Sequence, residues 1–164
     1  MVEKENKIFG LLGKNIEYSF SRGYFSNKFE KLNLQQYKYV TFDLQKIADF
    51  SSIIKKDSES IAGINVTIPY KQEVLQYLDL LDETAQEIGA VNTIKFQKNG
   101  QLKGYNSDVV GFEKSLLPLL EKHHNNALIL GTGGASKAVA FALKKNNIKF
   151  KFVSRNSQGL DLLS

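Results

Sequence analysis

Short apolar runs rich in β-branched and aromatic residues recur along the chain at 7–13 (KIFGLLG), 37–44 (YKYVTFDL), 61–68 (IAGINVTI), 90–96 (AVNTIKF), 101–105 (QLKGY), 126–131 (NALILG) and 149–154 (KFKFVS). Between several of them lie segments whose apolar residues follow a helical period. Phe25, Phe29 and Leu32 mark one face, Ile47, Phe50 and Ile54 a second, and Val74, Leu78 and Leu81 a third. Strands alternating with amphipathic helices predict an α/β protein built on a mostly parallel, twisted sheet with helices on both faces. The segment 93–105 departs from that rhythm, because Asn99-Gly100 between two β-type runs is a hairpin signal. One strand is therefore expected to be antiparallel. A further helix from Val109 to Lys122 presents Phe112, Leu116 and Leu120, with Pro118 marking a kink, and the reading divides the chain there into 1–107 and 108–164.

Composition narrows the chemistry. No apolar run is long enough to cross a bilayer, and the N-terminal MVEKENK lacks the apolar segment of a secretory signal, so a cytoplasmic address and no membrane partner are expected. The chain has no cysteine, which excludes disulfides and thiolate chemistry, and its two histidines, His123 and His124, are adjacent in a polar stretch; no metal site is expected. The net charge of +5 comes almost wholly from dispersed lysines, with Arg22 and Arg155 as the arginines. Base readout leans on arginine and stacking platforms on interleaved aromatics, so no nucleic-acid partner is expected.

In the second segment, ALILGTGGASKAVAFAL reads as a strand, a glycine turn and a helix, with Val139, Ala142 and Leu143 inward. Gly131, Thr132, Gly133, Gly134 and Ala135 would let backbone approach a pyrophosphate at a helix N-terminus, although a glycine cluster also serves any tight strand-to-helix turn. The following strand ends in Ser154, Arg155 and Asn156 rather than in an acid, and an arginine with neutral donors suits a 2′-phosphate, which favours NADP over NAD. The segment after Ala127 suffices for one β-α-β unit and the start of a helix. It is therefore expected to be an incomplete Rossmann-type dinucleotide-binding domain, in a truncated chain of little activity, open to self-association through that domain.

In the first segment, Lys71 follows a strand end at NVTIPYK, where Pro69 suits the opening of a helix. Asn65, Thr67, Lys71, Asn92, Asn106 and Asp108 all fall at or near strand ends, where α/β folds bind ligands, and together offer donors and acceptors for several hydroxyls plus one Lys/Asp pair. Singly, each has a bland reading: a solvated lysine, or an aspartate capping a helix.

NVTIPYK, AVNT, GYNSDVVGF and GTGGASKA, in this order, resemble the motif set of the shikimate dehydrogenase family, from about Phe9 to Asn156. The resemblance implies an N-terminal domain for shikimate, a second for NADP, and reversible reduction of 3-dehydroshikimate on the route to aromatic amino acids. It implies Lys71 and Asp108 as the catalytic pair, Thr67 and Asn92 as substrate contacts, and the Ser19 and Ser21 hydroxyls on the substrate carboxylate. Tyr18 and Arg22 stand where the family usually has histidine and proline, and Ser107 where threonine is common. Two alternatives stay open: a quinate/shikimate dehydrogenase, and a ligand-binding domain without catalysis.

Overall fold

The computed structural model describes residues 6–57 and 59–154. Its first part contains β1 (Lys7–Gly13), α1 (Ser21–Lys31), β2 (Tyr37–Asp43), α2 (Phe50–Asp57), β3 (Ile61–Val66), β4 (Leu80–Leu81), α3 (Glu83–Ile88), β5 (Thr93–Phe96) and β6 (Leu102–Tyr105). These form a six-stranded sheet in the order β2-β1-β3-β5-β6-β4. β1 pairs in parallel with β2 and β3, and β4 with β6, whereas β5 is antiparallel to both of its neighbours. The antiparallel strand announced by Asn99-Gly100 is thus β5. Then follow α4 (Asp108–Leu116), β7 (Asn126–Leu130), α5 (Gly134–Lys145) and β8 (Lys149–Val153), where the parallel β7–β8 pair with its connecting helix forms one β-α-β unit.

Strand alternation explains why helices cover both faces of the larger sheet. Along β1, Phe9 and Leu11 join Tyr39, Phe25 and Phe29 under α1, while Ile8 and Leu12 join Phe50, Ile54, Ile64 and Val66 on the other side. An irregularity in the β1–β3 register, where Ile8 faces Ile61 but Phe9 faces Gly63, adds one residue to β3. Ile61 thereby reaches the same core as Ile64.

Several expectations are corrected. No α-helix opens at Pro69. The cis Ile68–Pro69 bond lies in a turn, and a 3-10 helix follows at Glu73–Tyr77. Leu78 is extended, and the Asp79 carboxylate accepts the Leu102 N–H at 2.7 Å, so the chain is drawn into β4 instead of continuing a helix through Leu81. Leu32 lies beyond α1 and is exposed. The helix α3, which the apolar period did not disclose, is bounded by Asp82, whose side chain accepts the Ala85 N–H, and by Gly89 in a left-handed conformation. α4 stops at Leu116, and Pro118 lies in a 3-10 turn at Leu117–Leu119. Among the described residues, no helix is long and apolar enough to cross a membrane, and no group of histidine, aspartate and glutamate could hold a metal ion.

Phe50 is fully buried in the larger core and meets Tyr77 edge-on at 5.8 Å. Phe50→Ala should cost about 3–5 kcal/mol in denaturant unfolding; a loss below about 1 kcal/mol would contradict this packing.

Candidate active site

The site forms where the parallel strands end. β1 and β3 both run toward this edge, and β5, being antiparallel, begins there, because Asn65 of β3 faces Thr93, the first residue of β5. Thr93 in turn faces Tyr105, the last residue of β6. Residues after β3, before β5 and after β6 are therefore brought together, although they are distant in sequence. Asn92 lies in the bend before β5 rather than within a strand, yet its backbone still bridges both neighbours. Its carbonyl accepts the Val66 N–H at 2.8 Å, and its N–H donates to Tyr105 at 3.0 Å.

Lys71 is held from three sides. Its carbonyl accepts the Val91 N–H at 2.7 Å. The preceding Tyr70 is buried and donates its hydroxyl to the Leu44 carbonyl at 2.6 Å, and burial raises that phenol above its ordinary range. The Lys71 ammonium donates to Asp108 Oδ2 at 2.7 Å, with the two side chains 16% and 32% exposed. Such a pair is shielded from most solvent while one side stays open. Asp108 opens α4, where a negative charge suits the helix dipole. Its other oxygen, Oδ1, accepts from Asn92 Nδ2 at 2.8 Å.

The buried Asn106 is not a free donor for a ligand. Its Nδ2 donates to the Ala90 carbonyl at 2.9 Å, and its Oδ1 accepts the Asp108 N–H at 3.0 Å, so it fixes the chain before α4. Asn65, partly exposed, accepts from the Tyr39 hydroxyl at 2.9 Å. Tyr39 was not singled out from sequence, because an aromatic in a strand reads as core. The Thr67 N–H donates to the Leu12 carbonyl, which ties the exit of β3 to that of β1. Beyond β1, Asp43 receives the N–H groups of Asn15 and Ile16 at 2.8 and 3.0 Å, and the loop then reaches the serines. Ser19 donates its hydroxyl to Ser21 Oγ at 3.2 Å and accepts the Ser21 N–H, so the two hydroxyls are adjacent.

The glycine turn approaches this edge from the second sheet. Gly131 has φ +106°, a conformation that favours glycine. Thr132, Gly133 and Ala135 are exposed, and no side chain caps the N-terminus of α5, leaving backbone N–H groups free for a phosphate. The need for glycine at position 134 has a different origin. A Cβ there would lie 3.0 Å from Lys71 Cβ and 3.5 Å from both Lys71 Cδ and Ala90 Cβ. α5 also packs Ala138 and Ala142 against Ile88, Ala90 and Val109, and Lys137 donates to Gln72 at 3.0 Å. Ser154 follows β8, whereas Arg155 and Asn156 lie outside the described residues.

Two outcomes follow. Gly134→Ala should lift the first turn of α5 from the lysine stem and speed acylation of Lys71 severalfold, read by peptide mass spectrometry; unchanged protection would contradict the contact. Burial pushes the Tyr39 phenol from 10.0 up to about 12. A neutral form favoured by folding stabilises below pH 10 and loses that contribution as pH rises toward about 12. Ultraviolet titration should show a tyrosine ionising near the upper value, absent in Tyr39→Phe, whereas ionisation of all tyrosines together near pH 10 would contradict this burial.

Residues 11–94, about half of the chain, match the family model described as the shikimate dehydrogenase substrate binding domain. The NADP(+) shikimate dehydrogenase of Methanosphaera stadtmanae is 40% identical over 158 residues, covering 96% of this chain and 55% of that protein. The crystal structure of shikimate dehydrogenase 1 from Peptoclostridium difficile superposes with a TM-score of 0.84 at 35% identity, covering 96% of this chain and 58% of that one. Shikimate 5-dehydrogenase of Thermus thermophilus, in complex with NADP(H) and shikimate, superposes with a TM-score of 0.80 at 32% identity, covering 93% and 57%. The chain thus spans about half the length of the curated relatives it matches. By this match, and with the fold that accompanies it, the chain belongs to the shikimate dehydrogenase family through its substrate-binding domain.

Proposed function

We propose that this chain carries the substrate site, and the opening of the cofactor site, of a dehydrogenase that reversibly reduces 3-dehydroshikimate to shikimate with NADP. The observation that carries the reading is the Lys71 ammonium, 2.7 Å from the Asp108 carboxylate at an open sheet edge. NADP, when bound, supplies or takes the hydride. The residues of this chain handle the proton. In the reducing direction Lys71 donates a proton to the ketone oxygen as hydride reaches its carbon, and in the reverse direction it takes the proton of the alcohol. Asp108 keeps the ammonium aimed and accepts from a neighbouring ring hydroxyl. Thr67, Asn65 and Asn92 contribute further polar contacts, and the paired Ser19 and Ser21 hydroxyls receive the carboxylate. The glycine turn and the uncapped start of α5 would hold the pyrophosphate, with Ser154, Arg155 and Asn156 toward the 2′-phosphate.

The same reading sets the boundary between a substrate unit, 1–107, and a cofactor unit, 108–164. It is supported by the two separate sheets and by the packing of Phe112 and Leu116 of α4 against the β7–β8 side. Exposed Leu128, Leu130 and Val153 on the outer face of that smaller sheet support self-association, read by sedimentation at rising concentration.

Calorimetric titration with shikimate tests the site. Asp108→Asn should weaken binding by about tenfold to a hundredfold, the value of a hydrogen bond to a charged group. In the dehydrogenation assay of an intact version of the enzyme, one with a complete cofactor domain, Lys71→Ala should lower kcat by about 10²–10⁴-fold with a smaller change in KM. Equal turnover by Lys71→Ala and parent would remove the assignment, and faster oxidation of quinate than of shikimate would move it to the quinate reading.

A further inference from the structure

A line of side-chain hydrogen bonds runs through the sheet behind the Lys71–Asp108 pair, and one backbone group fixes the direction of every bond in it. The Ser107 N–H, which can only donate, gives its proton to Asn92 Oδ1 at 2.9 Å. The Asn92 amide is therefore oriented with Nδ2 toward Asp108 Oδ1. Because Asn92 Oδ1 only accepts, the Thr93 hydroxyl, 3.0 Å away, must donate to it. Having given its one proton, Thr93 can only accept from Asn65, which therefore presents Nδ2 at 3.4 Å. Asn65 Oδ1 then faces Tyr39, and the phenol must donate, at 2.9 Å.

We infer that Tyr39 and Thr93 are positioning residues for the reacting pair. They form, with Asn65 and Asn92, a one-way hydrogen-bonded relay in which every proton points toward the Asp108 carboxylate. Tyr39 is well placed to start such a line. It sits on β2 at 6% exposure, its ring stacked on Phe25 with centroids 4.5 Å apart and planes 11° from parallel, so its hydroxyl has little freedom to turn to water. Hydrogen bonds polarised in one direction strengthen one another in a low-dielectric interior. An amide has nearly the same shape when flipped, so Asn65 owes its orientation to its partners. If the phenolic proton is removed, Asn65 is free to turn its carbonyl oxygen toward Thr93, whose proton then has two acceptors to choose from. The Asn92 amide, and through it Asp108, loses part of its restraint. The relay also fixes how the partly exposed Asn65 meets a ligand, offering an N–H on the Thr93 side and a carbonyl already engaged by Tyr39.

The inference rests on the proposed reading of Lys71 and Asp108 as the reacting pair, and its test begins in ligand-free protein so that the two can fail separately. Tyr39→Phe keeps the ring stack and removes only the hydroxyl; Thr93→Val removes the next link, and Thr93→Ser keeps it. Side-chain amide resonances of Asn65 and Asn92, assigned by nuclear magnetic resonance, should both move in Tyr39→Phe, although Asn92 lies two links away. Shikimate affinity should fall about two- to tenfold in Tyr39→Phe and in Thr93→Val, recover in Thr93→Ser, and fall no further in the double variant than in Thr93→Val alone. A purely structural role would lower thermal stability without moving the Asn92 amide. An unmoved Asn92 signal in Tyr39→Phe, or additive losses in the double variant, would overturn the relay. Absence of shikimate binding in the parent would instead remove the reading of the site, leaving the amide coupling to decide the relay.

Discussion

The arrangement depends on one ion pair formed across a large stretch of sequence. Lys71 comes from the turn after β3 and Asp108 from the first residue of α4, and neither would meet the other without β5 between their strands. Because β5 is antiparallel, its first residues lie at the edge where β3 and β6 end, and Asn92 can hold both sides with backbone and side chain together. A partly shielded ion pair needs such support. Attraction between its charges offsets their desolvation only where geometry is fixed and remaining lone pairs are satisfied. Val91, Asn92 and Asn106 supply that geometry: the Val91 N–H donates to the Lys71 carbonyl, Asn92 Nδ2 donates to the Asp108 carboxylate, and Asn106 Oδ1 accepts the Asp108 N–H.

The contact between Gly134 and the Lys71 stem ties the second sheet to the same pair. A helix whose first residue lacks a side chain can rest directly on the lysine methylenes, and the alanines at 138 and 142 let it settle close to α3 and α4. The glycine turn is thus shaped on two sides. Gly131 supplies a backbone conformation, whereas Gly134 supplies room for the lysine. One consequence is that the open N-terminus of α5 lies beside the Lys71 side chain, the neighbourhood that the proposed hydride and proton transfer to one carbonyl would require.

Much of the fold was legible because it is written in local patterns. β-branched runs marked the strands, Asn99-Gly100 marked the hairpin, and the α4 and α5 faces carried a clear period. What escaped was decided by contacts distant in sequence. The stretch after Pro69 has helical periodicity, but the Asp79 carboxylate is captured by the Leu102 N–H and turns the chain into an edge strand. The helix α3 is only six residues long, and its signal was in its ends, Asp82 and Gly89, rather than in an apolar face. In the site, Lys71 and Asp108 could be paired from their positions at strand ends, whereas Asn106 was read as a ligand donor although both ends of its amide serve the backbone. Tyr39 carried no polar signal at all, because only the folded sheet sets its hydroxyl against Asn65.

A crystal structure of this chain with bound shikimate tests the site most directly. Lys71 Nζ and an Asp108 oxygen should both lie within hydrogen-bonding distance, about 2.7–3.2 Å, of ring hydroxyls, with the carboxylate at Ser19 and Ser21. Shikimate bound away from this edge, or bound there with Lys71 and Asp108 paired only to each other, would contradict it.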